Sequence, residues 1–159
     1  MMKQEYSFIT KWALEAPLKN VWDAIYESTG WPQWWKGVKG VEVIKEGDEN
    51  GIGGIRRYTW GSVLPYTLSF NMELEERRDF SYMRGVAFGE LEGVGEWFFS
   101  QGNGITYIQY NWNVHTTKAW MNYLSFLLKP AFKYNHDAVM RWGAQGLAKK
   151  LHAKLISSS

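Results

Sequence analysis

The sequence predicts an α+β domain in which a curved antiparallel sheet of seven strands holds one long C-terminal helix, with two short helices after the first strand. Two observations carry this. From Ala119 to about Ile156, the residues Phe132, His136, Val139, Met140, Gly143, Leu147 and Leu151 recur at three- and four-residue steps. That spacing places them on one side of an α-helix, while Lys133, Arg141, Lys149 and Lys154 fall mostly elsewhere. Upstream, the period changes to two. Tyr66, Leu68, Phe70, Met72 and Leu74 alternate with Thr67, Ser69, Asn71 and Glu73, the mark of a strand with one buried and one wet face.

Taken in order, residues 4–14 form the first strand, with Tyr6, Phe8, Thr10, Trp12 and Leu14 on one face. Pro17 suits the start of a helix that carries Leu18, Val21, Trp22 and Ile25 on one stripe and ends at Ser28-Thr29-Gly30. Trp31-Pro32-Gln33-Trp34-Trp35 supplies a second short helix, closed by Gly37. Strands follow over Val38–Lys45, Ile52–Trp60, Tyr66–Leu74, Tyr82–Leu91, Val94–Ser100 and Ile105–His115. In the Tyr82–Ser100 pair, Gly85, Gly89, Gly93 and Gly95 share one parity with Met83, Ala87, Leu91, Trp97 and Phe99. Such glycines mark either a strip of missing side chains facing the helix or plain β-bulges. Gly143 and Gly146 sit mid-helix, where each costs about 1 kcal/mol relative to Ala. They imply either close approach of another backbone or space left for something else. Pro130 removes a helical hydrogen bond, so a break is expected there, dividing a lid-like segment from the main helix. The three-Ser tail is expected to fray.

No repeat or linker interrupts the order, so residues 1–159 are read as a single domain with a core from about 4 to 156. A net charge of +2, with Lys and Arg scattered, argues against a nucleic-acid partner. The chain holds no cysteine, which rules out disulfides and thiolate chemistry. Without an apolar leader or a membrane-length run, a cytoplasmic protein is the expectation. Ten Trp, nine Tyr and eight Phe give stiff apolar area suited to a packed core or to the wall around a greasy ligand.

Several stretches together carry a resemblance across roughly Tyr6 to Leu151. They are Trp31-Pro32-Gln33-Trp34-Trp35, Leu64-Pro65-Tyr66 with Leu68 and Phe70, and Gly89-Glu90-Leu91-Glu92-Gly93 followed by Gly95 and Trp97. To these add Trp112 with Val114, the run Thr116-Thr117-Lys118-Ala119-Trp120-Met121-Asn122, and Asn135-His136-Asp137 with Met140 and Gly143. In order and spacing the chain resembles the START-like superfamily, the helix-grip fold shared by polyketide cyclase/dehydratase-type proteins and the birch-pollen allergen family. The resemblance implies a sheet wrapped around the C-terminal helix and enclosing an apolar cavity. It also implies ligands such as lipids, sterols, quinones or polyketides, with cyclisation or dehydration in some members.

The inward faces then nominate ligand-binding residues: Trp60, Tyr66, Leu68, Phe70, Trp97, Phe99, Tyr110 and Trp112 from the strands, and Asn135, His136, Val139, Met140 and Gly143 from the helix. The alternative is a solid core made of the same residues. His136, on the inner stripe, can be a structural histidine, a ligand contact or a general base. Asp137 beside it points off the stripe, and no serine completes a triad. His115 and His152 lie apart without a spaced carboxylate, so neither a metal site nor a cofactor is expected. Of the adjacent Arg56 and Arg57, a regular strand turns one inward, where it reaches the rim or anchors an anionic head group. The greasy run 120–128 packs on the tryptophan helices, gates the cavity or touches a membrane transiently. The leading expectation is a binder, or transporter, of a small hydrophobic molecule held in a cavity between the C-terminal helix and the sheet. A cyclase/dehydratase using His136 with Tyr66 or Tyr110 is the alternative, and a protein-interaction module the third. The oligomeric state is left open.

Overall fold

The computed structural model describes residues 5–61, 63, 67–123 and 125–159, without the side chains of Ser125 and Phe126. Strand β1 spans Glu5–Glu15 and buries Tyr6, Thr10, Trp12 and Leu14 while Ser7, Ile9 and Lys11 face water, as its alternation requires. Helix α1, Leu18–Tyr26, follows Pro17 and turns Val21, Trp22, Ala24 and Ile25 into the core. A 3-10 turn at Ser28–Gly30 leads into α2, Trp31–Trp34. Gly37, at φ +106°, then swings the chain into the sheet.

The remaining strands are β2 (Val38–Lys45), β3 (Ile55–Trp60), β4 (Leu68–Arg78), β5 (Tyr82–Gly89), β6 (Leu91–Gly102) and β7 (Ile105–Thr116). After them come α3 (Ala119–Tyr123), α4 (Ser125–Lys150) and β8 (Lys154–Ser158). The sheet runs β2-β3-β4-β5-β6-β7-β1-β8, eight strands with antiparallel neighbours. The helix-grip architecture expected from the sequence is present, with one strand more. The long helix stops at Lys150 rather than near Ile156, and His152 at φ +52° reverses the chain. The tail then pairs with β1, and Ser159 exchanges two 2.9 Å backbone hydrogen bonds with Lys11 instead of fraying. Leu155 continues the four-residue step of Leu147 and Leu151, which hides a five-residue strand inside a helical pattern.

Pro130 lies inside α4, so the expected break at that residue does not occur. Packing also decides between the two readings of the helical glycines. A Cβ on Gly146 would lie 1.8 Å from the Trp34 carbonyl oxygen, and one on Gly143 would lie 2.5 Å from the Trp35 indole. Both glycines let α2 press against α4. Trp35 is 1% exposed and donates its indole N–H to the Val139 carbonyl at 2.8 Å. Its ring joins those of Trp12, Trp31, Trp34, Trp60 and Trp97 at centroid separations of 4.9–6.5 Å. This tryptophan cluster fills the space between the C-terminal half of α4 and the sheet.

Candidate functional site: a cavity between the first helices and the sheet

A cavity of about 360 Å³ has no α4 residue in its lining among the described residues, so it lies between the α1–α2 segment and the sheet rather than, as expected, between the C-terminal helix and the sheet. Period-two alternation supplies its wall. Arg56, Tyr58 and Trp60 face inward from β3, paired in register with Met72, Phe70 and Leu68 of β4. Met72, Phe70 and Leu74 continue the lining, and Met83, Trp97 and Tyr110 close it from β5, β6 and β7. Gly85 and Gly95 sit opposite each other across the β5–β6 ladder and also line the cavity. Two missing side chains at one rung thin the wall. The Tyr110 hydroxyl lies over one of them, 2.5 Å from where a Gly95 Cβ would be.

Ile25, Tyr26, Ser28 and Trp31 cover the cavity from the α1–α2 segment, and the β2–β3 connection from Lys45 to Gly54 forms its mouth. That connection is ordered by Asp48, whose Oδ1 accepts from the Asn50 and Ile52 amides at 2.8 and 2.9 Å. Arg77 ties it to α1, donating to the Tyr26 hydroxyl and to the Asn50 carbonyl at 3.0 Å each. Its guanidinium also lies 4.4 Å from the Tyr26 ring centre.

Beyond the charged mouth, the polar groups inside the cavity are few and close together. Arg56 Nη1 donates to Ser28 Oγ at 2.6 Å, and Ser28 Oγ shares a hydrogen bond with the Tyr58 hydroxyl at 2.8 Å. Burial raises the Tyr58 pKa, against the opposing pull of the Ser28 hydrogen bond and the Arg56 charge. Burial raises Tyr110 well above the ordinary tyrosine value, with the neighbouring Tyr58 adding to it. Both phenols are therefore neutral donors at neutral pH. The Trp60 indole N–H is buried with no hydrogen-bond partner among the described residues. Arg57 faces the other way, toward Asn71.

Of the residues nominated from the sequence, Trp60, Phe70, Trp97 and Tyr110 line this cavity. Phe99, Trp112, Val139 and Met140 are buried in the core and Leu68 is half-buried, all outside the lining. Gly143 is covered by Trp35, and Asn135 Oδ1 accepts the Val63 amide at 3.2 Å. Tyr66 lies outside the described residues. Ser28, Tyr58, Met72, Leu74 and Met83 complete the wall without having been nominated. Met72 and Leu74 carried the signal, since they share the parity of Phe70.

His136 occupies a separate place. Its ring stacks on Phe8 at 4.2 Å and 16°, and Phe132 packs edge-on against neighbouring Tyr6 at 5.3 Å. Among the described residues neither buried imidazole nitrogen has a hydrogen bond, and Asp137 Oδ1 stands 3.8 Å from Nδ1, too far for one. Burial lowers the His136 pKa from 6.5 to about 4, overriding the attraction of Asp137, while Lys133 also favours the neutral ring. The unfolded chain therefore binds more protons than the folded one between these values, and stability falls as pH drops from 6.5 toward 4. At full protonation the loss reaches about 3 kcal/mol. His136→Phe, which keeps the stacking ring, is expected to flatten that part of a melting-temperature-versus-pH curve. An unchanged slope would place the acid sensitivity elsewhere.

Outside this region, His115 Nε2 pairs with Glu92 Oε1 at 3.0 Å on the far face of the sheet, and Glu96 accepts the Tyr82 hydroxyl there. No helix among the described residues is long and apolar enough to cross a membrane.

The fold has counterparts among known proteins. The family described as "Polyketide cyclase / dehydrase and lipid transport" matches residues 14–147. The chain belongs to that family. No curated protein sequence matches it. Among solved structures, the ZhuI aromatase/cyclase from Streptomyces sp. R1128 superposes with a TM-score of 0.76 at 11% identity, over 94% of each chain. A protein from Thermus thermophilus gives 0.69 at 15% identity, over 92% of this chain and 99% of its own. A START superfamily protein from Mycobacterium smegmatis gives 0.68 at 11%, over 93% and 97%. At these identities the likeness is one of fold. Membership in the polyketide cyclase/dehydrase family is in keeping with a small hydrophobic molecule as ligand, or with a cyclase role.

Proposed function

We propose that this protein binds a small hydrophobic molecule, such as a lipid, quinone or polyketide-like compound, in the cavity between the α1–α2 segment and the sheet. The observation that carries this reading is the cavity itself. Its volume of about 360 Å³ falls within the roughly 300–1,000 Å³ typical of ligand sites, and aromatic walls surround a few convergent polar groups. The surrounding chain has ample large side chains with which to fill the space, yet places two glycines on the wall. The working compartment in this reading is the cytoplasm. The exposed Trp120, Tyr123 and Leu127 on α3 and α4 are where a transient membrane contact would form during loading.

Native mass spectrometry of freshly purified protein, followed by solvent extraction, tests the reading. A stoichiometric apolar adduct is expected. Gly85→Leu is expected to lower occupancy at least about tenfold, because the new side chain would point at the movable Met72 methyl and occupy the cavity. An adduct retained in full by that variant would put the ligand elsewhere.

A second reading, a cyclase or dehydratase, draws on the Tyr58, Tyr110 and Arg56 donors, which could polarise a substrate carbonyl. The name of the Streptomyces relative points the same way. Its acid–base partner is the weaker part. His136, the histidine nominated for it, stacks on Phe8 outside the lining, so binding remains the function we favour.

A further inference from the structure

We propose that the ligand is amphipathic and carries a carboxylate, with Arg56 as its anchor just inside the mouth of the cavity. This inference rests on the binding function proposed above. Arg56 differs from Arg77, Arg78 and Arg84, and unlike Arg57, which turns to Asn71 on the other face, it looks into the cavity. Arg77, Arg78 and Arg84 each hold an acidic side chain, Asp79, Glu76 and Glu75 respectively, at 2.7–2.9 Å. Arg56 lines the cavity, half-buried, and among the described residues its hydrogen bond is to a neutral hydroxyl, that of Ser28. Among the described residues no carboxylate pairs with it. A guanidinium has five N–H donors in a planar fork, and a single contact to Ser28 leaves most of them for a ligand. A half-desolvated cation with unused donors favours an anion over a neutral head group, and a carboxylate matches the fork with two parallel hydrogen bonds.

The surroundings hold the group ready. Ser28 is 3% exposed and Tyr58 is 9% exposed, and the Arg56–Ser28–Tyr58 chain joins the 3-10 turn to β3. Because Ser28 accepts from Arg56, its own hydrogen can go to Tyr58, freeing the phenol to donate into the cavity. Depth gives the orientation. Along β3, Arg56 stands next to the mouth, whereas Tyr58 and Trp60 lie further in beside Phe70 and Trp97. The carboxylate thus stays near the opening while the apolar body reaches the aromatic floor.

The mouth itself is acidic, with Glu27, Glu46, Asp48 and Glu49 against Lys45. These side chains are exposed, so water and salt screen them, whereas Arg56 acts from inside the cavity at close range. The rim consequently slows entry of an anion at low ionic strength without cancelling the anchor once it is bound.

The test uses the full chain at neutral pH and three probes that share a ten-carbon chain: decanoic acid, decanol and methyl decanoate. Dissociation constants follow from tryptophan fluorescence or calorimetry. The acid is expected to bind about tenfold tighter than the alcohol or the ester, the scale of one hydrogen bond to a charged group. In Arg56→Gln, checked for folding by circular dichroism, that ratio is expected to fall toward one. Arg56→Lys is expected to retain part of it, and Ser28→Ala to reduce it by freeing the guanidinium to swing. Equal affinity for acid and alcohol in the unaltered protein would overturn the carboxylate anchor while leaving the binding function intact. A preference that survives Arg56→Gln would assign the anchor to another group. If none of the three probes binds, the binding function fails and the anchor fails with it.

Discussion

Trp35→Ala is expected to lower the melting temperature by about 6–20 °C. The side chain is 1% exposed and central to the tryptophan cluster. Truncating a buried Trp removes about 3–5 kcal/mol, and a domain of this size loses about 2–4 °C per kcal/mol. Two further features place the effect toward the upper end. The indole fills the groove above Gly143, so its loss leaves a cavity that the helix cannot close without moving. The hydrogen bond from Nε1 to the Val139 carbonyl is lost as well. Trp35→Phe separates the terms, since it keeps most of the ring packing and removes the hydrogen bond. Its expected cost is smaller by at least half. Thermal melts followed by circular dichroism measure both, and a Trp35→Ala protein that melts within about 2 °C of the parent would contradict the packing described above.

The second large effect has a sign opposite to helix propensity. Gly146 lies inside α4, where replacement by Ala ordinarily gains about 1 kcal/mol. Here Gly146→Ala is expected to destabilise by at least 1–3 kcal/mol, or about 2–12 °C, the scale of forced overpacking. The methyl group would meet a backbone carbonyl oxygen, that of Trp34, at 1.8 Å, and backbone cannot rotate away as a side-chain tip can. Relief requires α2 and α4 to separate, which would also loosen Trp35. A neutral or stabilising result would mean the two helices do not touch at this point.

These two positions also show where sequence reasoning reached its limit. The strands were legible because period-two alternation is a local property, and Tyr58, Phe70 and Trp97 each face inward by parity alone. The same property made four wall residues readable: Trp60, Phe70, Trp97 and Tyr110. The helical half of the site was not readable in this way. A three-four stripe says which side of a helix is buried, not what buries it. Gly143 and Val139 meet the Trp35 indole, which comes from just past α2, about a hundred residues earlier, and interposes itself before any cavity. The last strand was hidden for a related reason, since Leu147, Leu151 and Leu155 keep a helical step across a turn at His152. Arg56 was half legible. Two adjacent arginines on one strand cannot share a face, but only the fold tells which one looks inward and that Ser28 meets it.

The measurement that bears most directly on the central claim is the position of a bound probe. Crystals soaked with decanol or decanoic acid carrying a terminal bromine would report it by anomalous scattering. The account predicts a bromine peak inside the cavity bounded by Trp31, Phe70 and Trp97, with the head group toward the β2–β3 connection. A peak lodged between α4 and the sheet, beside Val139 and Met140, or only on the molecular surface, would contradict it.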